Sequence, residues 1–330
     1  MDKIHVLPIE VNPFIKTYPY FAIYLGALEA GGNITEGIYF NHFNELTYSM
    51  HHKELNFKNR LYLQSIMNIR KFKALTSDNA LHFVKQKISE GLYVCIYLNG
   101  ENIVGCKGKY YHDWMIYGYD NNMRVLYLIG YTSFKKINTY ETFKISYDDF
   151  LLSLPEKKDE RFLRHNFMYN HTFKVPENYM SEEIDLQRIY KKLRKEIRNS
   201  SPLIRAFSVY NKFLFQLKLF HKYPKLKKFE KFRCPMDKRN FRILYDYTKI
   251  NYMIFDKFCT DKRLVNEYNK CVKTSEVIFY LSVMYEEEEN EVKKNMKFKK
   301  IYEKLKILQN DEIVLIKKIL LNLKSNYDIR

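Results

Sequence analysis

His112-Asp113-Trp114-Met115-Ile116-Tyr117-Gly118-Tyr119-Asp120 decides how the first half of this chain is read. An apolar run led by a histidine stops at Asn121-Asn122, whose short polar side chains suit a tight turn. A second run, Val125 to Tyr131, follows at once, so the two read as adjacent strands of a hairpin. The first run also holds the only tryptophan of the chain and a glycine between tyrosines. A histidine leading into such a hairpin is one way for cysteine hydrolases and acyltransferases to present a general base, so the rest of the chain must be searched for a nucleophile.

Working outward, Tyr93 to Leu98 between Gly91 and Gly100 is rich in strand-forming residues, and Phe143-Lys144-Ile145 makes a fourth short strand. Ser146-Tyr147-Asp148-Asp149 then opens a helix, with a serine cap and an acidic residue three places on. Tyr20 to Ala30 and Ser77 to Ile88 read as helices ahead of the sheet. All ten glycines lie between Gly26 and Gly130, and glycine serves the turns and close approaches of mixed structure. Charge changes near the same place. Residues 1–160 carry 18 basic and 17 acidic side chains, and the remainder 38 and 21, a net +17. The fold class is therefore α+β: a small antiparallel sheet domain over 1–155, a polar connector over 156–180, and an all-helical basic domain over 181–330. In that last part apolar residues recur at helical spacing at Phe241, Leu244, Thr248, Tyr252 and Phe255, and again at Ile301, Leu305, Leu308, Ile316 and Ile319. Glu286 to Glu289 are expected near a helix N-terminus and Lys317-Lys318 near a C-terminus.

Composition excludes several classes. A hydrophobic content of 46% with 16% aromatics is too apolar for a disordered chain. Cys95, Cys106, Cys234, Cys259 and Cys271 are scattered, with neither metal-ligand pairing nor disulfide-scaffold density. No secretory signal and no membrane span is read, so a cytoplasmic setting is expected. No phosphate loop or Gly-x-Gly-x-x-Gly is present, and His51-His52 with His42 and Glu45 lacks a defined third ligand, so neither cofactor nor metal is expected.

The motifs resemble the butirosin biosynthesis protein H N-terminal-like family, with its papain-like fold, and the related double-glycine leader peptidases. The likeness extends to homologues from Firmicutes gene clusters for nonribosomal peptides. Leu92 to Leu98, His112 to Asp120, Val125 to Tyr131 and Ile145 to Phe150 are similar to that family's strands around its histidine loop, and Met236 to Tyr245 extends the similarity into the helical half. The resemblance implies a cysteine, histidine and aspartate attacking a thioester or amide, with the acyl group in the butirosin branch passing from a carrier protein to an amine. It puts Thr17, Tyr18, Tyr20, Asn99 and Trp114 along the substrate cleft and His112 as base or hydrogen-bond donor.

The chain departs from that pattern at two of three roles. Pro13 to Ile23, where the nucleophile belongs, has no cysteine, and Thr17 is its only hydroxyl other than the tyrosines. The orienting aspartate is expected at about Gly130, which has no side chain. Cys106, near Lys107 and Lys109, is a speculative replacement nucleophile, the plainer reading being a loop cysteine without a role. Asp113 could orient His112 only if two neighbouring strand residues converge, against their usual alternation. Cys95 reads as core.

The leading expectation is a peptide natural-product biosynthesis protein with a cysteine-protease-like cleft but no cysteine nucleophile, handling a carrier-bound acyl or peptidyl substrate. A catalytically inactive binding or scaffold protein of the same pathway is the alternative. The basic stretches Tyr190 to Lys195 and Lys222 to Lys231 suit an acyl- or peptidyl-carrier protein, which is acidic. They also leave a nucleic-acid-associated protein as a third reading, although no binding motif accompanies them.

Overall fold

The computed structural model describes residues 3–32, 36–73, 75, 77–104, 111–132, 139–155, 170–176, 182–198, 209–223 and 234–329. The chain is a mixed α+β protein whose antiparallel sheet precedes a helical region. It divides into two compact units, Met1–Ile34 with Leu61–Met180, and Thr35–Arg60 with Ser181–Arg330. In chain order the first unit starts with β1 (Ile4–Val6) and α1 (Pro19–Ala30). The second unit takes α2 (Glu36–His42), β2 (Leu46–Ser49) and β3 (Glu54–Phe57). The first resumes with α3 (Tyr62–Ile66), β4 (Arg70–Lys71), α4 (Ser77–Ser89), β5 (Tyr93–Asn99), α5 (Glu101–Val104), β6 (Tyr111–Asp120), β7 (Val125–Thr132), β8 (Thr139–Ser146), α6 (Tyr147–Ser153) and β9 (His171–Phe173). The second closes with α7 (Leu186–Arg198), α8 (Val209–Lys222), α9 (Lys238–Phe258), α10 (Lys262–Glu286) and α11 (Glu291–Asn326).

The sheet of the first unit runs β4-β9-β5-β6-β7-β8 with every pair antiparallel, and β1 adds to the far end of β6. The hairpin turn forms as the side chains dictate: Asp120 Oδ1 accepts from the backbone N–H of Asn122 at 2.8 Å and of Met123 at 3.0 Å. Ser146 caps α6, its hydroxyl oxygen accepting from Asp149 N–H at 3.0 Å. Alternation then sorts the faces. Val94, Ile96, Leu98, Trp114, Ile116, Leu126, Leu128 and Ile145 point to one side, where Ala80, Val84 and Ile88 of α4 and Phe150 of α6 close the core. On the other side α1 packs against β7, and it is buried continuously from Phe21 to Leu28.

One position on this sheet admits glycine alone. Trp114 pairs across the ladder with Gly130. A Cβ built at 130 would lie 2.6 Å from Trp114 Cε3 and 3.0 Å from Cζ3, so the indole occupies the space a side chain there would need.

Three expectations are corrected. The stretch 35–60 belongs to the second unit, because its apolar residues pack there: β3 contacts α9, β2 contacts α8, and Phe43 meets Phe57 edge-on at 5.3 Å. Asn240 of α9 pins this hairpin, its Oδ1 accepting from Leu55 N–H at 2.7 Å and its Nδ2 donating to Lys53 O at 3.0 Å. The expected connector supplies β9, which slots between β4 and β5. Lys317-Lys318 lie inside α11, not near its C-terminus, because its apolar stripe continues through Leu323 to an end at Asn326, whereas the glutamates do lie near a helix N-terminus. Glu286 closes α10, and Glu287 to Glu289 lead to Asn290, whose side chain caps α11 through Lys293 N–H.

Replacing Gly130 by alanine is expected to cost about 1–3 kcal/mol by overpacking, measured by urea unfolding, and less in a Trp114→Phe background. An alanine as stable as the wild type would refute the indole's claim on that space.

Candidate functional site

The site is built at the start of β6. His112 pairs with Leu98, which assigns it by alternation to the face of Trp114, and Asp113 pairs with Tyr97 on the α1 face. The imidazole nonetheless folds back over its own strand. Nδ1 lies 3.1 Å from the Asp113 carbonyl oxygen and 3.5 Å from Asp113 Oδ1. With Nδ1–H donating to the carbonyl, the neutral ring carries its lone pair on Nε2, the tautomer a general base requires. Protonation would turn the longer contact into an ion pair. Convergence of these neighbours, which strand alternation argued against, thus comes from the ring's orientation.

Tyr131 ties this histidine to the approach of α1. Its ring centroid is 6.2 Å from that of His112, and its hydroxyl donates to the carbonyl oxygen of Lys16. Thr17 follows and is buried. Tyr18 caps the start of α1 with its carbonyl, which accepts from Phe21 N–H at 2.9 Å, and its ring stacks on Tyr20 at 5.2 Å. Tyr131 thus touches both the histidine and the stretch expected to bear the nucleophile.

The other expected parts are differently placed. Trp114 is completely buried and belongs to the core, so it cannot line an open cleft. Its Nε1 has no hydrogen-bond partner among the described residues. The aspartate's expected place at Gly130 is filled by that same indole. Asn99 is buried, and its side-chain oxygen accepts from Glu101 N–H at 3.3 Å at the start of α5. Cys106 lies outside the described residues. Cys95 is buried on β5, where desolvation and then the Asp113 charge push its thiol well up, the opposite of what a nucleophile needs.

Two polar clusters were missed in the sequence reading. On the α1 face, Tyr24 Oη lies 2.8 Å from His171 Nε2, and His171 is the ladder partner of Cys95. Burial, followed by the charges of Cys95 and Asp113, holds the Tyr24 hydroxyl far above the ordinary phenol range. His171 was hidden in the expected connector. In the second unit, Glu312 accepts hydrogen bonds from Tyr268 at 2.5 Å and from Tyr210, and Glu196 accepts from Tyr247 at 2.6 Å. Burial raises the Glu312 carboxyl to about 7 and the Glu196 carboxyl to about 8, against its tyrosine bonds in each case. Glu312 had a legible signal: it interrupts the stripe Leu305, Leu308, Ile316, Ile319 at a buried position.

Among the described residues no group of three or more His, Cys, Asp or Glu is placed to hold a metal, and no helix is long and apolar enough to cross a membrane. His42 is buried against Glu182, Nε2 to Oε1 being 2.8 Å, and desolvation lowers its pKa despite that partner. His51 and His52 are exposed, with ring centroids 4.8 Å apart. No protein-family model matches the chain, and no curated protein matches it.

Both raised carboxyls bind protons more tightly in the fold than in the unfolded chain, whose reference value is 4.5. Their contribution is complete below that value and is lost as pH rises through about 7 and 8. Melting temperature is expected to fall from about pH 5 to about pH 8, and Glu312→Gln to flatten the part of that fall below about pH 7 and be the more stable protein at the alkaline end. Parallel wild-type and variant curves would contradict this.

Proposed function

We propose that the chain serves peptide natural-product biosynthesis by binding a carrier-borne acyl or peptidyl substrate in a papain-like cleft that does not form a covalent intermediate. The observation that carries this reading is the treatment of the three catalytic positions. His112 is oriented through Nδ1 on the Asp113 carbonyl, and its ring neighbour Tyr131 holds the Lys16 carbonyl ahead of α1. The expected acid is replaced by a buried indole, and the sheet's own thiol is desolvated. A desolvated thiol and a missing acid suit the site to recognising a carbonyl or amine rather than to activating a nucleophile.

The second unit supplies the electrostatic half of the reading. A groove of about 450 Å³ is lined by Lys58, Arg188, Lys191, Lys192 and Lys195 against only Glu45 and Asp185. Four of these cations are exposed, while Lys192 is partly covered and donates to Asn44 Oδ1 at 3.0 Å. Such a surface attracts acidic helices and the phosphate of a phosphopantetheine arm.

Calorimetric titration tests the proposal, with an acyl carrier protein bearing or lacking its phosphopantetheine arm. The armed carrier is expected to bind tighter, Lys191→Ala with Lys195→Ala to weaken it at least about tenfold, and His112→Ala to weaken only the acyl-loaded form. Indifference to the arm, or tighter binding to duplex DNA with a steep salt slope, would overturn it.

A further inference from the structure

Three carboxylates surround one cavity of the second unit. The cavity holds about 290 Å³ and is lined by Glu45, Glu196 and Glu312 with Tyr210, Tyr247 and Ile316 among others. That is room for on the order of ten water-sized groups. Glu45 is ion-paired, to Lys58 at 3.1 Å and Lys192 at 3.7 Å. Glu196 and Glu312 have no ion pair among the described residues; their hydrogen bonds come from tyrosine hydroxyls and, for Glu196, the Leu46 backbone, which bring no positive charge. One turn beyond Tyr247, fully buried Asn251 offers its side-chain amide to the Tyr247 hydroxyl. Two carboxyls shielded from water are costly to ionise unless something cationic joins them. Both titrate near neutrality, so an arriving cation needs to displace little more than a proton from each.

The rim has the opposite sign. Lys58 and Lys195 line both this cavity and the cationic groove. A simple cation meets like charge there, whereas a molecule with an anionic group at one end and an amine at the other is matched at both. Leu46, Val209 and Ile313 leave apolar wall between them for a methylene spacer.

We propose that this cavity binds a small amphoteric amine, with its ammonium at Glu196 and Glu312 and its anionic group on Lys58 and Lys195. The site lies within the second unit and stands independently of what the first unit handles. The test is a thermal-shift and calorimetric series of ω-amino acids from 4-aminobutanoate to 8-aminooctanoate, beside hexylamine and hexanoate. At least one ω-amino acid is expected to bind about tenfold or more tighter than either one-ended compound. Lys195→Gln, at an exposed position, should weaken that ligand while leaving hexylamine unchanged, and Glu312→Gln should abolish both. Failure of the whole series to bind, or binding insensitive to Lys195→Gln, overturns the proposal whether or not the Glu312 variant folds.

Discussion

The indole of Trp114 lying flat against Gly130 is the contact on which the first unit depends. It joins the two central strands on the face that α4 and α6 cover, and it meets Phe143 of β8 edge-on at 5.5 Å. The β6–β7 ladder places these two positions opposite each other, so the largest side chain fits only where its partner has none. The same contact fills the position where the proposed papain-like reading would put an orienting acid.

The second unit resolves its polar groups differently. Asn240 spends its side chain on the backbone of the β2–β3 hairpin, which brings a segment from early in the chain onto α9. Its hydrogen bonds are buried and saturate groups that would otherwise be stranded. Glu196 and Glu312 are less complete. Each is held by tyrosine hydroxyls, and each stays in a low-dielectric setting that opposes its charge. Buried groups of this kind are usual where a ligand, rather than the fold, supplies the last partner.

Local patterns were legible in the sequence. The hairpin of β6 and β7, the strand β5, the Ser146 cap and the stripes of α9 and α11 follow from alternation, turn chemistry and helical spacing within a few residues. Pairings between distant segments were not. Nothing local in residues 35–60 says that they pack on a helix almost two hundred residues later, and His171-Thr172-Phe173 becomes a strand only because β4 and β5 present open edges to it. In the candidate site, the place of His112 at the head of a strand was legible and the surroundings of the other expected residues were half so. The missing thiol could be read directly, whereas the filling of the Gly130 position needed the ladder register. Strand alternation misjudged Asp113 because an imidazole at the end of a strand can turn back on its own backbone.

The central claim is that the first unit binds without forming a covalent bond. Intact-mass spectrometry after incubation with acetyl-loaded and glycyl-loaded carrier protein tests it most directly. The account predicts that the mass of the chain stays unchanged while the acyl group remains on the carrier. An acyl adduct on Thr17 or on any cysteine that vanishes in His112→Ala would contradict it.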